Sequence, residues 1–594
     1  MRVADYIMTC LHNAGIGHVF LVTGRGALFL TDALAKHPSL EPVCVHHEQS
    51  AAYAAVAYAQ QSGGIGACLV STGCASTNAI TGVLSAWQDG IPCVFISGQN
   101  TLKETSTYTG IPLRTYGQQE ADIISLVKPI TKFAKMITST DQIIEAMQTA
   151  ITLANSGRKG PVWLDIPLDL QSAFIDPSTD CVSKESIPAL PEASTEEVFS
   201  VVKMLTEAKR PVILMGHGIR SAGAEKEFRN FAEKWQIPVT YATSAPDTYG
   251  SANSLSIGSV GSMGCSRAGN FAVQNADLLL VLGSRLTSLT TGTDFCKFAR
   301  EAKVIVVDID LVEHSKDSIR IDKLIQSDLK HFLNHLNKFS PTLAESGWAR
   351  KCQHWKHRFD QIETEFQCTS QVDLYELAKC LSDLLPSNSN IVTDSGLIEV
   401  ILPSNIRFSD GMRCIHPASQ GAMGYALPAA IGAYYASGLP TIAVIGDGSI
   451  MMNLQELETI RHRQLPIKVL VINNNVYSII RRRQRDLFRK RVIGTDPENG
   501  VSCPDFSKVA NCFDMDYVCI DTPDTLRSCL NDILSSNFPT LCEIMGKPDQ
   551  GYIEVNQARS DVNKRWVRRP IEDQAPFLDR DVFLSEMIIE PIDQ

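Results

Sequence analysis

The chain has no surplus of positive charge, no C-x-x-C pair and no long apolar run, and each absence removes a class of function. A net charge of −11 across 594 residues argues against nucleic acid as the main partner, because phosphate binding needs concentrated cation. The 17 cysteines fall singly, from Cys10, Cys44, Cys68, Cys74 and Cys93 onward, so zinc ligation and thioredoxin-like redox chemistry are disfavoured. A disulfide framework is improbable in a chain this large without a secretory signal. The first residues, Met1 to Tyr6, have no apolar signal core, and no stretch of ~18 apolar residues would span a bilayer. The expectation is a cytoplasmic protein with neither membrane nor nucleic-acid partner. Short-period repeats and low-complexity tracts are also missing.

What is there is the composition of a well-packed protein, 44% hydrophobic and 20% charged, long enough for about three domains. Short apolar runs alternate with amphipathic segments, the pattern of buried parallel strands and crossover helices. Strands are expected at His18–Val22, Ala67–Ser71, Cys93–Ser97 and Val162–Ile166. A middle set runs Val212–Met215, Leu278–Leu282 and Val304–Asp308, and a last set Ile391–Thr393, Thr441–Ile445, Val469–Ile472 and Thr540–Ile544. Each set reads as a doubly wound α/β sheet. Polar, proline-containing stretches at Ser183–Ser194 and Phe339–Gly347 read as linkers. The domains are therefore 1–182, 195–338 and 370–548, with a tail over 549–594. Asp579 is placed to cap a short helix in that tail. The basic cluster Arg481-Arg482-Arg483-Gln484-Arg485, followed by Arg489, Lys490 and Arg491, reads first as a solvated helix face and second as an anion site.

The strongest local signal is Gly446-Asp447-Gly448-Ser449 directly after a strand, followed by Asn473-Asn474 at the end of the next one. Strand–Gly–Asp–Gly brings a carboxylate and bare backbone amides to the carboxyl end of a parallel sheet, where helix N-termini favour phosphate. A carboxylate, an amide oxygen and a nearby carbonyl are hard ligands suited to Mg²⁺ on a diphosphate. An ordinary tight turn would explain the first motif alone; the pair at this spacing is far more specific.

This motif pair is similar to the diphosphate-binding signature of thiamine diphosphate (ThDP) enzymes. The run Met452-Asn453-Leu454-Gln455-Glu456-Leu457 through Leu465-Pro466-Ile467-Lys468-Val469 resembles the acetohydroxyacid (acetolactate) synthase branch, and the likeness extends over about residues 1–548. It implies pyrimidine-binding, central and diphosphate-binding domains. It also implies Mg²⁺ held by Asp447, Asn474 and the Val476 carbonyl, with Gly446, Gly448 and Ser449 at the diphosphate. His47-Glu48-Gln49 matches the family's glutamate motif, so Glu48 would hydrogen-bond the aminopyrimidine and help generate the tautomer that deprotonates the thiazolium. That role calls for a carboxyl group in a dry pocket. Gly421-Ala422-Met423-Gly424 resembles the pyrimidine cradle, with Met423 as an apolar wedge, and Asn78 and Gly396 also fall at the coenzyme. Gln119 matches a glutamine near the reacting centre. The resemblance implies a homodimer or homotetramer with active sites shared between subunits.

Synthases of this branch hold FAD in the central domain, and the matching positions are Arg158, Gly216, Gly218, Arg285 and Asp308. After Arg285, however, Thr287-Ser288-Leu289 stands where the family has Asp-Asp-Arg, which leaves an empty central fold as the alternative. Other departures cluster on the acceptor side. Arg25 enters a Pro-Gly-Gly turn, and Cys74-Ala75 replaces the Pro-Gly of a Gly-Pro-Gly. Leu168 stands for a lysine, Arg483 for a tryptophan, and Leu397-Ile398 for a Gln-His pair. Arginine binds planar and phosphate oxygens in bidentate fashion. The expectation is an enzyme that decarboxylates a 2-oxo acid such as pyruvate and joins it to an anionic carbonyl acceptor, a keto-sugar nucleotide or a carboxylate-bearing ketone. A non-ligating decarboxylase, a pyruvate oxidase-type flavoenzyme and a non-catalytic relative are the competing readings; intact Glu48, Asp447 and Asn474 oppose the last. For the tail, a lid over the active-site mouth and packing on a neighbouring subunit are both open.

Overall fold

The structure, a computed structural model, describes residues 1–177, 189–340, 347–489, 491–560 and 564–592. Half of the first expected linker, 183–188, and most of the second, 341–346, lie outside the described residues. Three six-stranded sheets organise the rest. The first contains β1 (His18–Leu21), β2 (Glu41–Cys44), β3 (Gly66–Val70), β4 (Cys93–Gln99), β5 (Phe133–Met136) and β6 (Pro161–Pro167), in the order β2-β1-β3-β4-β6-β5. The central sheet contains β7 (Pro211–Met215), β8 (Val239–Tyr241), β9 (Ser256–Ser259), β10 (Leu278–Leu282), β11 (Lys303–Asp308) and β12 (Lys323–Gln326), in the order β12-β11-β10-β7-β8-β9. The third contains β13 (Asn390–Val392), β14 (Arg413–Ile415), β15 (Thr441–Gly446), β16 (Lys468–Asn473), β17 (Asp516–Ile520) and β18 (Thr540–Met545), in the order β14-β13-β15-β16-β18-β17. Neighbouring strands are parallel throughout.

Counted within each sheet, the first and third share one strand order. The central sheet has the dinucleotide-fold order, which reverses direction between β7 and β10. Helices cover both faces, which is why the inner strands are apolar on both sides. Every strand expected from the sequence forms. Within the three sheets, those not anticipated are β2, β5, β8, β9, β12, β14 and β17; all but β8 are outermost strands. Outermost strands are covered less completely: β2, β12 and β17 mix exposed or half-buried positions with buried ones, β5 is half-buried throughout, and all four lack a continuous apolar signature.

Beyond β18 the tail turns back across the central unit. Glu554 and Ala575 exchange backbone hydrogen bonds of 3.0 and 2.8 Å, and a small antiparallel hairpin pairs Gln557–Arg559 with Trp566–Arg568. Arg267, buried beneath it, donates to the carbonyls of Gln574 and Pro576 and pairs with Glu363 at 2.7 Å. Asp579 caps the helix Arg580–Glu586 as expected, accepting from the amides of Asp581 and Val582. Glu586 closes the strap on the helix Trp348–Arg358, meeting Lys351 at 2.6 Å, His354 at 3.2 Å and the Trp355 indole N–H at 2.9 Å. Burial works to raise the Glu586 pKa, but these donors hold it at about 2. That helix packs its Trp348, Cys352 and Trp355 into the central core.

Glu586→Ala leaves the buried Trp355 N–H without its acceptor and is expected to cost about 1–3 kcal/mol. Denaturant titration of the full chain measures it; an unchanged midpoint would mean the strap adds nothing to stability.

Candidate functional site

The carboxyl edge of the first sheet gathers four of the anticipated residues. Glu48 is the first residue of the helix Glu48–Ser62, which follows β2, and His47 caps that helix by accepting from the Gln49 amide. The Asn78 amide donates to Glu48 Oε2 at 3.0 Å. Beside them, the segment after β4 folds over the turn after β3. A Cβ on Gly73 would lie 1.7 Å from the Gln119 carbonyl, so only glycine permits this approach. Gln119 itself has φ +58. Arg25, exposed in the turn after β1, donates to the Gln118 side chain, and no carboxylate among the described residues pairs with it. Glu48 is only half-buried, so the single chain does not supply the dry pocket its chemistry needs.

The equivalent edge of the third sheet carries the diphosphate motif. Asp447, 3% exposed, follows β15 and accepts from the backbone N–H groups of Gly448 at 2.7 Å, Asn474 at 3.1 Å and Asn475 at 2.5 Å. The Asn474 side-chain oxygen in turn accepts from the Val476 amide at 3.2 Å. The three expected metal ligands are thus drawn into one turn pair, 27 residues apart in sequence and adjacent in space. Burial raises the Asp447 pKa, with the amide hydrogen bonds opposing it, and no cation of the protein neutralises it among the described residues. A buried carboxylate with hard oxygens around it and no basic partner fits Mg²⁺. No group of three or more histidine, cysteine or acidic ligands occurs among the described residues, as befits a site with one carboxylate. Gly448 lies under the Tyr477 ring, whose Cε1 would stand 1.9 Å from an added Cβ.

Two participants were not legible in the sequence. Asp394, directly after β13 and fully buried, accepts from the Ser449 hydroxyl and from the Gly424 amide at 3.2 Å. Burial pushes its pKa up to about 7 against those hydrogen bonds. It thereby ties Ser449 to the Gly421–Gly424 segment containing Met423. Its position at a strand end was the available signal. The second is Cys503, whose thiol pKa is pushed up by burial and by the nearby Asp447 carboxylate, and no spacing in the sequence announces it. Gly396 and Gly421 both take positive φ, +71 and +56, on the same edge.

The central unit presents a cleft of about 250 Å³ at the carboxyl ends of β7, β10 and β11, where the strand order reverses. Arg158, Gly218, Arg285 and Asp308 line it, and Gly216 lies beneath, its N–H donating to the Leu282 carbonyl at 2.9 Å. Arg158 is occupied by Asp310 and Glu313, each at 2.8 Å. Arg285 donates to the Ser419 hydroxyl and meets no carboxylate among the described residues. The basic cluster divides. Arg481 and Arg485 pair with Asp549 at 2.7 and 3.0 Å, and Arg482 pairs with Glu554 while lying 4.9 Å over the Tyr552 ring. Arg483 reaches only the Met263 sulfur, at 3.9 Å, and Lys490 lies outside the described residues.

No helix among the described residues is long and apolar enough to cross a membrane. Three family models match in chain order. They are the thiamine pyrophosphate enzyme N-terminal TPP binding domain over residues 1–126, its central domain over 198–336, and its C-terminal TPP binding domain over 394–544. The chain is 31% identical over 563 residues to acetolactate synthase 1, chloroplastic, of Zea mays, covering 91% of this chain and 85% of that one. It is 31% identical over 553 residues to the acetolactate synthase isozyme 2 large subunit of Escherichia coli K12, covering 92% and 95%. It is 30% identical over 570 residues to a probable acetolactate synthase large subunit of Methanocaldococcus jannaschii, covering 92% of each. With three parallel sheets in the matching order and coenzyme motifs on the carboxyl edges of the outer two, the chain belongs to the thiamine diphosphate enzymes, in their acetolactate synthase branch.

Proposed function

We propose that the protein decarboxylates a 2-oxo acid, pyruvate in the first instance, and transfers the activated two-carbon unit to an anionic carbonyl acceptor. The observation that carries this reading is the pairing of a glutamate edge on the first sheet with an Asp447–Asn474 metal turn on the third. ThDP, when bound, would supply an acidic thiazolium carbon as the nucleophilic centre for the 2-oxo acid. The chain's own residues do the rest. Asp447, Asn474 and the Val476 carbonyl hold Mg²⁺, and the backbone at Gly446, Gly448 and Ser449 receives the diphosphate. Met423 and Gly421 shape the pocket for the pyrimidine, beside Gly396. Glu48, steered by Asn78, exchanges a proton with the aminopyrimidine. Gln119 stands at the reacting centre.

A half-open Glu48 supports a shared site, in which the third sheet of a second copy covers it and excludes water. A homodimer is then the minimum functional unit. The cleft at the strand-order reversal, with Arg285 free of carboxylates, is the place for FAD, and Arg158 would have to exchange Asp310 and Glu313 for a ligand phosphate. On the acceptor side, neither Arg25 nor Arg483 has an acidic partner among the described residues.

Glu48→Gln is expected to lower turnover at least 100-fold while ThDP still binds, and Asp447→Ala to abolish Mg²⁺-dependent ThDP uptake; calorimetry and a pyruvate-consumption assay read both. Undiminished turnover by Glu48→Gln would refute the assignment. Mass spectrometry of products from ¹³C-pyruvate with a panel of ketones separates ligation from simple decarboxylation, since the latter yields acetaldehyde alone. With the acceptor found in that way, Arg25→Ala and Arg483→Ala should raise its KM about tenfold or more and leave the KM for pyruvate unchanged. Equal KM values for wild type and both variants would remove the anionic-acceptor reading.

A further inference from the structure

We propose that a chamber at the inner end of the central cleft is built to hold the edge of a heteroaromatic ring bearing an N–H next to a carbonyl, with Asp89 and His416 as its hydrogen-bonding groups. This rests on the reading of the cleft as the FAD site and deepens it, by assigning the ring-recognising residues to the first and third units rather than to the central one.

The chamber is small and shares Asp89, His217, Ser244 and Arg285 with the cleft, so the two adjoin and only the edge of a ring could enter it. Asp89 ends the helix Ile80–Asp89 of the first unit, His217 follows β7, and His416 follows β14. Each of the two proposed groups is half used by the protein. Asp89 Oδ1 accepts from the Ser419 amide at 3.1 Å, whereas Oδ2 is buried without a partner. His416 Nδ1 lies 2.6 Å from Glu399 Oε1, whereas Nε2 is buried without a partner. His416 is 4% exposed, and Glu399 is itself fixed by the Thr393 hydroxyl at 3.2 Å.

A buried polar atom left unmet costs about 1–3 kcal/mol, and two of them facing one chamber mark a place where something else completes the bonding. A single water could meet one or both. A ring entering along the cleft meets both while its remainder spans the cleft. Charge sets the polarity. With Nδ1–H given to Glu399, a protonated His416 offers Nε2–H as a donor; burial raises the Asp89 pKa, while Ser419, Arg285 and His416 oppose that rise and favour a carboxylate whose Oδ2 is an acceptor. Burial opposes charge on His416, but Glu399 and Asp89 raise its pKa above the ordinary histidine value. His217, driven to about 4 by burial, stays neutral, and Arg220 and Arg413, which also line the chamber, are paired with Asp247. The complementary ligand edge is therefore an N–H donor adjoining a carbonyl acceptor, the lactam or imide pattern found on the pyrimidine side of a flavin.

The test compares FAD with ADP, which has the adenosine diphosphate half of FAD but lacks the ring, as titrants of the full-length protein with ThDP and Mg²⁺ present. Wild type should bind both. His416→Phe and Asp89→Asn should each weaken FAD at least tenfold and shift the visible absorption of what remains bound, while ADP affinity stays as in wild type. His416→Gln, which keeps a donor, should recover part of the loss. Variants that bind FAD as tightly as wild type, with the same spectrum, would overturn the chamber assignment while leaving FAD in the cleft. A proportional loss of ADP would overturn it too, by showing damage to the whole cleft. Wild type that takes up no FAD would instead remove the cofactor reading, and this assignment with it.

Discussion

The site depends on one contact between two helices. Glu48–Ser62, which begins at the glutamate, crosses Ala426–Ser437, which begins just after the Gly421–Gly424 turn. At the crossing Gly432 lies so near the first helix that an added Cβ would be 2.0 Å from the Ala54 carbonyl. Ala51, Ala52, Ala54 and Ala55 are all fully buried along it. Close-packed interiors of this kind transmit rather than absorb a change of volume. Above the crossing, Ser50 donates to the Asn453 side-chain oxygen at 3.0 Å, and the Asn453 amide donates to Gln49 Oε1 at 3.1 Å and the Gly424 carbonyl at 2.9 Å. The position of the glutamate is thus referred directly to that of the Gly424 turn within one chain.

A second fastening is electrostatic. Arg413, at the start of β14, donates to Asp247 of the central unit at 2.8 Å and to the carbonyls of Gln60 and Gln61 of the first at 2.6 and 2.8 Å. Burial works against the charge on Asp247, yet Arg220 and Arg413 hold its pKa down to about 2. A buried ion pair satisfied this completely is weak evidence for net stability, because desolvation offsets much of the attraction. Its geometry allows few alternatives, however, and it joins all three units at one guanidinium.

How much of this the sequence disclosed follows from what each feature depends on. The inner strands were visible because burial on both faces demands unbroken apolar runs such as Leu278–Leu282. Outer strands such as Glu41–Cys44 were hidden because half their surface answers to solvent. The metal turns were visible because Gly446–Ser449 and Asn473–Asn474 must be local to work. Asp394 and His416 were hidden because their partners, Ser449 and Glu399, are set by folding rather than by spacing. The same holds for the tail. Its short helix was readable from Asp579, whereas its course over Arg267 and Trp355 depends on which surface those residues leave available.

The matching strand order of the outer two sheets has a consequence of its own. One architecture has been used twice in a single polypeptide, and its two carboxyl edges carry different groups. One edge bears the acid Glu48 beside the Asn78 amide; the other gathers backbone amides around the Asp447 carboxylate. With the strand order held in common, what distinguishes the two units resides in the turns that leave their strands.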